Sequence, residues 1–148
     1  MSNQQDVVKD LNQQVANWTV AYTKLHNFHW YVKGPNFFSL HVKFEELYNE
    51  ASQYVDDLAE RILAVGGNPV GTLTESLEQS IVKEAGKGYT AEQMVEELSK
   101  DFSNISKQLE TAIETAGNAG DDVSEDMFIG MQTSVDKHNW MLQSYLGN

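Results

Sequence analysis

Apolar residues in this chain recur at spacings of three and four over long stretches cut by Gly and Pro, and few folds accept such a pattern. Leu11, Val15, Trp18, Tyr22, Leu25 and His29 predict an amphipathic helix from about residue 4 to 32. Lys33-Gly34-Pro35-Asn36 interrupts it. Phe44, Tyr48, Ala51, Val55, Leu58, Ile62 and Val65 then predict a second helix over about 37–65, stopped by Gly66-Gly67-Asn68-Pro69. Thr72 and Glu75 have the capping-box spacing and open a short helix through about residue 82, with Leu73, Leu77 and Ile81 expected to face inward. Gly86 and Gly88 close that connection. Thr90 with Gln93 repeats the capping pattern ahead of Val95, Leu98, Phe102, Ile105, Leu109 and Ile113, a third long helix ending near Gly117. Asp122 with Glu125 starts a fourth, whose inward face is Phe128, Met131, Val135, His138, Leu142 and Tyr145.

The tight first break makes the first two helices an antiparallel hairpin. The connection of roughly 24 residues before the third is too long for simple up-down-up-down wiring. The expected fold is all-α: a ferritin-like four-helix bundle with a long crossover carrying a short extra helix between the second and third helices. No linker divides the 148 residues, so residues 1–148 form a single domain, and a hydrophobic fraction of 41% supplies its core. No apolar run approaches the roughly 18–20 residues that span a bilayer, and MSNQQDVVKD lacks the basic and apolar regions of a leader, so a soluble cytoplasmic protein without a membrane role is expected.

The formal net charge of −12 opposes a large nucleic-acid footprint, which needs clustered Lys and Arg to displace counterions from phosphates. It suits solubility and equally an anionic field that concentrates cations. With no cysteine, disulfides, thiolate metal sites and Cys nucleophiles are excluded, and any metal must bind through N and O.

His41, Glu45, Asp56 and Glu60 fall within an arc of roughly 100° on the second helix, yet His41 and Asp56 are separated by about 22 Å of rise. No single ion bridges that gap. A second copy of the helix, antiparallel about a two-fold axis near residues 50 and 51, brings 41/45 of one chain opposite 56/60 of the other and creates two identical sites. His29 and His41 are nearly equidistant from the hairpin turn, so His29 adds a third ligand from the same chain. Each residue alone has an ordinary structural explanation. Together they are hard to bury, because unpaired acids cost several kcal/mol that a cation relieves. The pattern predicts a transition-metal centre shared between subunits, its imidazole and carboxylate donors suited to iron.

Three segments carry a family resemblance: His26-Asn27-Phe28-His29-Trp30-Tyr31-Val32-Lys33-Gly34, Phe37-Phe38-Ser39-Leu40-His41, and Asp56-Asp57-Leu58-Ala59-Glu60-Arg61. Over essentially its whole length the chain resembles the Dps-family mini-ferritins, relatives of the DNA-binding protein from starved cells. The resemblance implies that His29, His41 and Glu45 of one subunit and Asp56 and Glu60 of its two-fold mate form a ferroxidase centre, with two irons per centre. The family usually carries Asp where this chain has Glu45, and the longer side chain alters its distance to the iron. Also implied are a hollow dodecamer, oxidation of Fe2+ to Fe3+ preferentially with hydrogen peroxide, and storage of the ferric product as a mineral that spares the cell oxidative damage. Peroxide takes two electrons, and two ferrous ions at one centre provide them together.

By the same resemblance Trp30 and Trp140 are electron donors near the centre, although core packing is the simpler reading of each. His26 and His138 are expected to be structural. The acidic segment Gly120-Asp121-Asp122-Val123-Ser124-Glu125-Asp126 caps a helix on the residues alone. By resemblance it lines an iron-entry pore, with Asp121 and Asp126 as its carboxylates. Some relatives bind DNA through basic tails; with only Lys9 near this N-terminus, weak or absent DNA binding is expected. A helical oligomer without catalysis is the alternative to an enzyme.

Overall fold

The computed structural model describes residues 2–148 and contains five helices in the order α1 (Gln4–Tyr31), α2 (Phe37–Ala64), α3 (Leu73–Gln79), α4 (Ala91–Asn118) and α5 (Asp122–Tyr145). Local chemistry sets most of their ends. Asn3 and Thr90 begin α1 and α4 with reciprocal capping boxes to Asp6 and Gln93, and Thr72 caps α3 through the Glu75 N–H. At the end of α2, Gly66 takes φ +85° while its N–H bonds the Leu63 carbonyl and that of Gly67 bonds the Ile62 carbonyl, a Schellman arrangement. Gly67 has a second reason to be glycine: a Cβ there would lie 2.8 Å from Val8 Cγ1 and 2.9 Å from Ile62 Cγ2, so this turn seats directly on the start of α1.

α1 packs most extensively on α2, and α4 on α5. Contacts across the hairpins fix their direction. Lys24 on α1 meets Glu97 and Asp101 near the start of α4, while Gln14 and Asn17 meet Gln108 further along it. α1 and α4 are therefore antiparallel, as are α2 and α5, where Lys43 reaches His138 and Arg61 reaches Ser124. α2 and α4 consequently run the same way, and the crossover carrying α3 returns the chain along the length of the bundle.

Trp18, Phe28, Phe44, Phe102 and Phe128 fill the centre. Trp18 donates its indole N–H to Met131 Sδ at 3.3 Å and packs its ring on Tyr54 and Phe102. α3 departs from expectation. Its buried residue is Ser76, whereas Leu73 and Leu77 are 72% and 46% exposed and Ile81 is half-buried. The apolar stripe is there but turns away from the bundle. Tyr145, expected inside, is also exposed. α5 starts at Asp122, and its cap is Asp121, one residue before the expected one. No helix among the described residues is long and apolar enough to cross a membrane.

Candidate metal centre

The α1–α2 hairpin holds His29 and His41 face to face, with ring centroids 3.7 Å apart and planes inclined by 14°. Nδ1 of His29 lies 2.7 Å from the His41 carbonyl oxygen, and Nδ1 of His41 lies 2.8 Å from the His29 carbonyl oxygen. A carbonyl only accepts, so each Nδ1 carries the donated proton and Nε2 is left as the ligating nitrogen. The clasp also solves a backbone problem. His29 is in the last turn of α1, where carbonyls lack helical partners, and the His41 ring satisfies that oxygen. Ring orientation and tautomer are thus fixed before any ligand arrives, as in metal sites whose histidines are held by a carbonyl behind them.

Glu45 lies one turn beyond His41 and is exposed, its Oε1 3.9 Å from His29 Nε2. Bonds of about 2.1 Å to one ion would set such an N and O about 3 Å apart, a side-chain rotation away. Tyr48 donates to the same Oε1 at 3.5 Å. Burial, then the charge and hydrogen bond of Glu45, push the Tyr48 hydroxyl above its ordinary value.

Asp56 and Glu60 are both exposed on α2. The hydrogen bond to Asp56, and then its charge, raise the Glu60 carboxyl above the ordinary carboxylate value. Two acids in this relation are short of a cation. Among the described residues, no three His, Cys, Asp or Glu side chains of the chain converge into a metal cluster. One chain carries two halves, His29/His41/Glu45 and Asp56/Glu60, set apart by the length of α2 between them.

The remaining expected site residues divide clearly. Trp30 and Trp140 are surface residues, 67% and 66% exposed, so neither is core. His26 stacks on Tyr48 at 3.7 Å, and its Nδ1 bonds the Tyr22 carbonyl. His138 is committed on both nitrogens: Lys43 Nζ donates to Nδ1 at 3.0 Å, and Nε2–H donates to Glu50 Oε1 at 3.1 Å. Asp126 is exposed. Asp121 is not free to face a channel: it is buried, accepts from Arg61 at 2.7 Å, from Gln4 at 3.0 Å and from the Ser124 hydroxyl at 2.7 Å, and caps α5.

The sequence reading missed Tyr48 as a neighbour of the site, though its i,i+3 spacing from Glu45 is a usable signal. It also missed the polar cluster on Glu50, which accepts from Tyr54 and Ser134 at 2.7 Å each besides His138. Burial alone would raise the Glu50 carboxyl; the hydrogen bonds from His138, Tyr54 and Ser134 outweigh it and hold the group at about 2. Asp121 is likewise held at about 2, burial being outweighed by bonds from Gln4, Ser124 and Arg61. Both values lie below those of the unfolded chain, so each carboxylate contributes stability that is full above about pH 4 and lost as pH falls towards 2. A pH titration followed by circular dichroism should show helix loss steepening below about pH 4, and Glu50→Gln with Asp121→Asn should flatten that fall while lowering stability at neutrality.

The four-helix frame, the crossover helix and the histidine-carboxylate half-sites define a class. The chain belongs to the ferritin-like family, whose description, Ferritin-like domain, matches residues 8–148. Within that family it is a Dps-type mini-ferritin. It is 52% identical over 143 residues to General stress protein 20U of Bacillus subtilis, covering 97% of this chain and 99% of that one. It is 52% identical over 140 residues to DNA protection during starvation protein 2 of Bacillus anthracis, covering 95% and 96%. The crystal structure of Dps from Staphylococcus aureus is similar with a TM-score of 0.98 at 92% identity, covering 99% of this chain and 98% of that chain.

Proposed function

We propose that the chain assembles by two-fold pairing into a closed dodecameric shell, oxidises Fe(II) at centres shared between paired subunits with hydrogen peroxide as preferred oxidant, and stores the ferric product inside. The observation that carries this reading is the split of the ligands. His29, His41 and Glu45 stand at one end of α2 and Asp56 and Glu60 further along it, each half short of a complete set. An antiparallel mate joins them into two mixed sites. The surface between the halves suits a second copy. A groove beside Asp56 is lined by Thr19, Tyr22, Asn49, Ser52 and Ala59, small or half-polar residues that let helices approach, and the exposed Leu73 stands at its edge.

Iron here is substrate and cargo. The clasped histidines present neutral Nε2 donors that retain Fe(II), and the carboxylates favour the harder Fe(III) product. Two ferrous ions at one centre deliver both electrons that peroxide requires, so the O–O bond opens without releasing hydroxyl radical. Asp126, exposed at the start of α5, is the acid left to attract iron at a pore. The net charge of −12 argues that DNA is protected by removing iron and peroxide rather than by tight contact with phosphates. The cytoplasm, where iron and peroxide would meet DNA, is the matching location.

The test is anaerobic loading of the assembled protein with Fe(II), then half an equivalent of hydrogen peroxide per iron. Rapid, complete formation of ferric absorbance with little trapped hydroxyl radical is expected. Slow oxidation, or trapped radical equal to that of free iron, would mean a helical oligomer without this activity.

A further inference from the structure

One cleft runs against the charge of the rest of the chain. It measures about 430 Å³, within the range of small-molecule sites, and lies between the end of α1, the turn into α2 and the loop ahead of α4. Its walls carry Asn27 and Tyr31 from α1, Lys33 from the turn, and Lys87 and Tyr89 from the loop. No acid lines it, although 22 of the 148 residues are Asp or Glu. The clefts beside α3 and between α4 and α5 instead take Glu84, and Glu92 with Glu96, into their walls. The ion pairs among the described residues leave Lys33 and Lys87 unpaired. Asn27, Tyr31 and Tyr89 likewise make no side-chain hydrogen bond within the described chain, so five polar side chains around one cleft keep their bonding capacity for something else.

The loop is shaped to fit this wall. A Cβ on Gly86 would lie 2.8 Å from Tyr89 Oη and 3.0 Å from its Cζ, so the backbone lies flat on the phenol and any larger residue would push it aside. Gly88 takes φ +75°, a conformation that other residues rarely adopt. Phe28 supports Tyr89 from the core, with ring centroids 5.8 Å apart and planes at 69°. Lys87 is thus carried between two glycines on a bent backbone.

We propose that this cleft binds a free adenine nucleotide, with its phosphates at Lys33 and Lys87 and its base on the Tyr31 ring, which is 63% exposed. Lysine ammoniums bind phosphate as point charges, and an aromatic face stacks a base. The Asn27 carboxamide can donate and accept at once, the pairing that the N6/N7 edge of adenine takes. Two lysines answer the charge of a diphosphate. A polymer would lay further phosphates over a chain of net charge −12, so the occupant is a single nucleotide and not a strand. The inference is independent of the iron chemistry above.

The experiment is equilibrium dialysis of ADP, pyrophosphate and adenosine against the assembled protein freed of iron, because hard ferric ions would bind phosphate oxygens by themselves. Saturable binding of one ADP per chain is expected, tighter than that of either pyrophosphate or adenosine. Lys33→Gln and Lys87→Gln should each weaken ADP about fivefold and together about 25-fold, the upper range for exposed charge pairs. Tyr31→Ala should weaken ADP about tenfold and leave pyrophosphate unchanged. All three side chains are exposed, so circular dichroism should not change, and Lys87→Arg should retain binding. Absence of saturation, pyrophosphate bound as tightly as ADP, or ADP binding indifferent to both lysines would overturn the proposal. Displacement of ADP by duplex DNA at equal phosphate concentration would overturn it as well.

Discussion

Replacing His29 and His41 together with alanine should slow peroxide-driven Fe(II) oxidation by at least about 100-fold, since losing merely the hydrogen-bond partner behind a ligand costs about 10- to 100-fold and here two ligands go. The physical loss is double. Each ring supplies an Nε2 donor, and each also holds the other in place by donating Nδ1–H to its backbone carbonyl. His29→Ala alone should therefore disturb the His41 ring as well, and the single variants should each lose nearly as much as the pair. Stopped-flow ferric absorbance under anaerobic loading measures this directly. The fold should survive, because His29 and His41 lie at the hairpin end and the core is built from Trp18, Phe28, Phe44, Phe102 and Phe128; unchanged circular dichroism separates lost chemistry from lost structure.

The largest effect on stability is expected at Lys24. Its side chain is 0% exposed, and its ammonium lies 3.1 Å from Glu97 and 2.7 Å from Asp101 on α4. Lys24→Met keeps the aliphatic stem and removes the charge, leaving two carboxylates facing each other, Asp101 only 12% exposed. Breaking a buried pair from one side costs about 3–5 kcal/mol. Because water reaches Glu97, we expect the lower end, about 3 kcal/mol, or roughly 6–12 °C in Tm for a chain of this size. Burial raises the Asp101 carboxyl even with Lys24 present, the lysine only partly opposing it. A folded value above the unfolded one makes the ionised acid a burden at neutral pH that lifts as pH falls through that raised value. The Lys24→Met deficit should therefore be smaller at pH 5 than at pH 7.5, and Lys24→Met combined with Glu97→Gln and Asp101→Asn should recover much of it.

Lys24 also marks where the sequence stopped being legible. A single apolar stripe predicts one buried face, and for α4 that is nearly sufficient, since Val95, Leu98, Phe102, Ile105 and Leu109 are all buried. α1 instead touches α2, α3 and α4, so it buries polar residues beside its stripe, Gln14, Asn17 and Lys24 among them. Periodicity has no term for a polar residue buried against a third helix. Helix ends were readable to within one to three residues because Gly66 and Thr90 act locally, through backbone conformation and caps. α3 shows the converse. Its stripe was visible, but which way Leu73 and Leu77 turn depends on what covers them, and the bundle does not.

At the centre, helical phase and the hairpin turn were enough to place His29 beside His41. The clasp between their rings and backbone carbonyls was hidden, because sequence spacing identifies side chains and not the carbonyl that awaits them. At Asp121 the capping role of the acidic segment was visible in the sequence. Its burial was not, because Arg61 and Gln4 arrive from distant parts of the chain to enclose it.

The central claim is that each centre takes histidines from one subunit and Asp56 and Glu60 from its mate. Mixing two inactive chains tests it most directly, one carrying His29→Ala and His41→Ala, the other Asp56→Ala and Glu60→Ala, refolded together at equal amounts. In a mixed pair one site receives both defects and the other receives none. Random pairing makes half the pairs mixed, so about a quarter of all centres should be intact and the assembly should regain about a quarter of wild-type Fe(II) oxidation. No recovery in a properly assembled mixture would contradict a shared centre and place all the ligands within one chain.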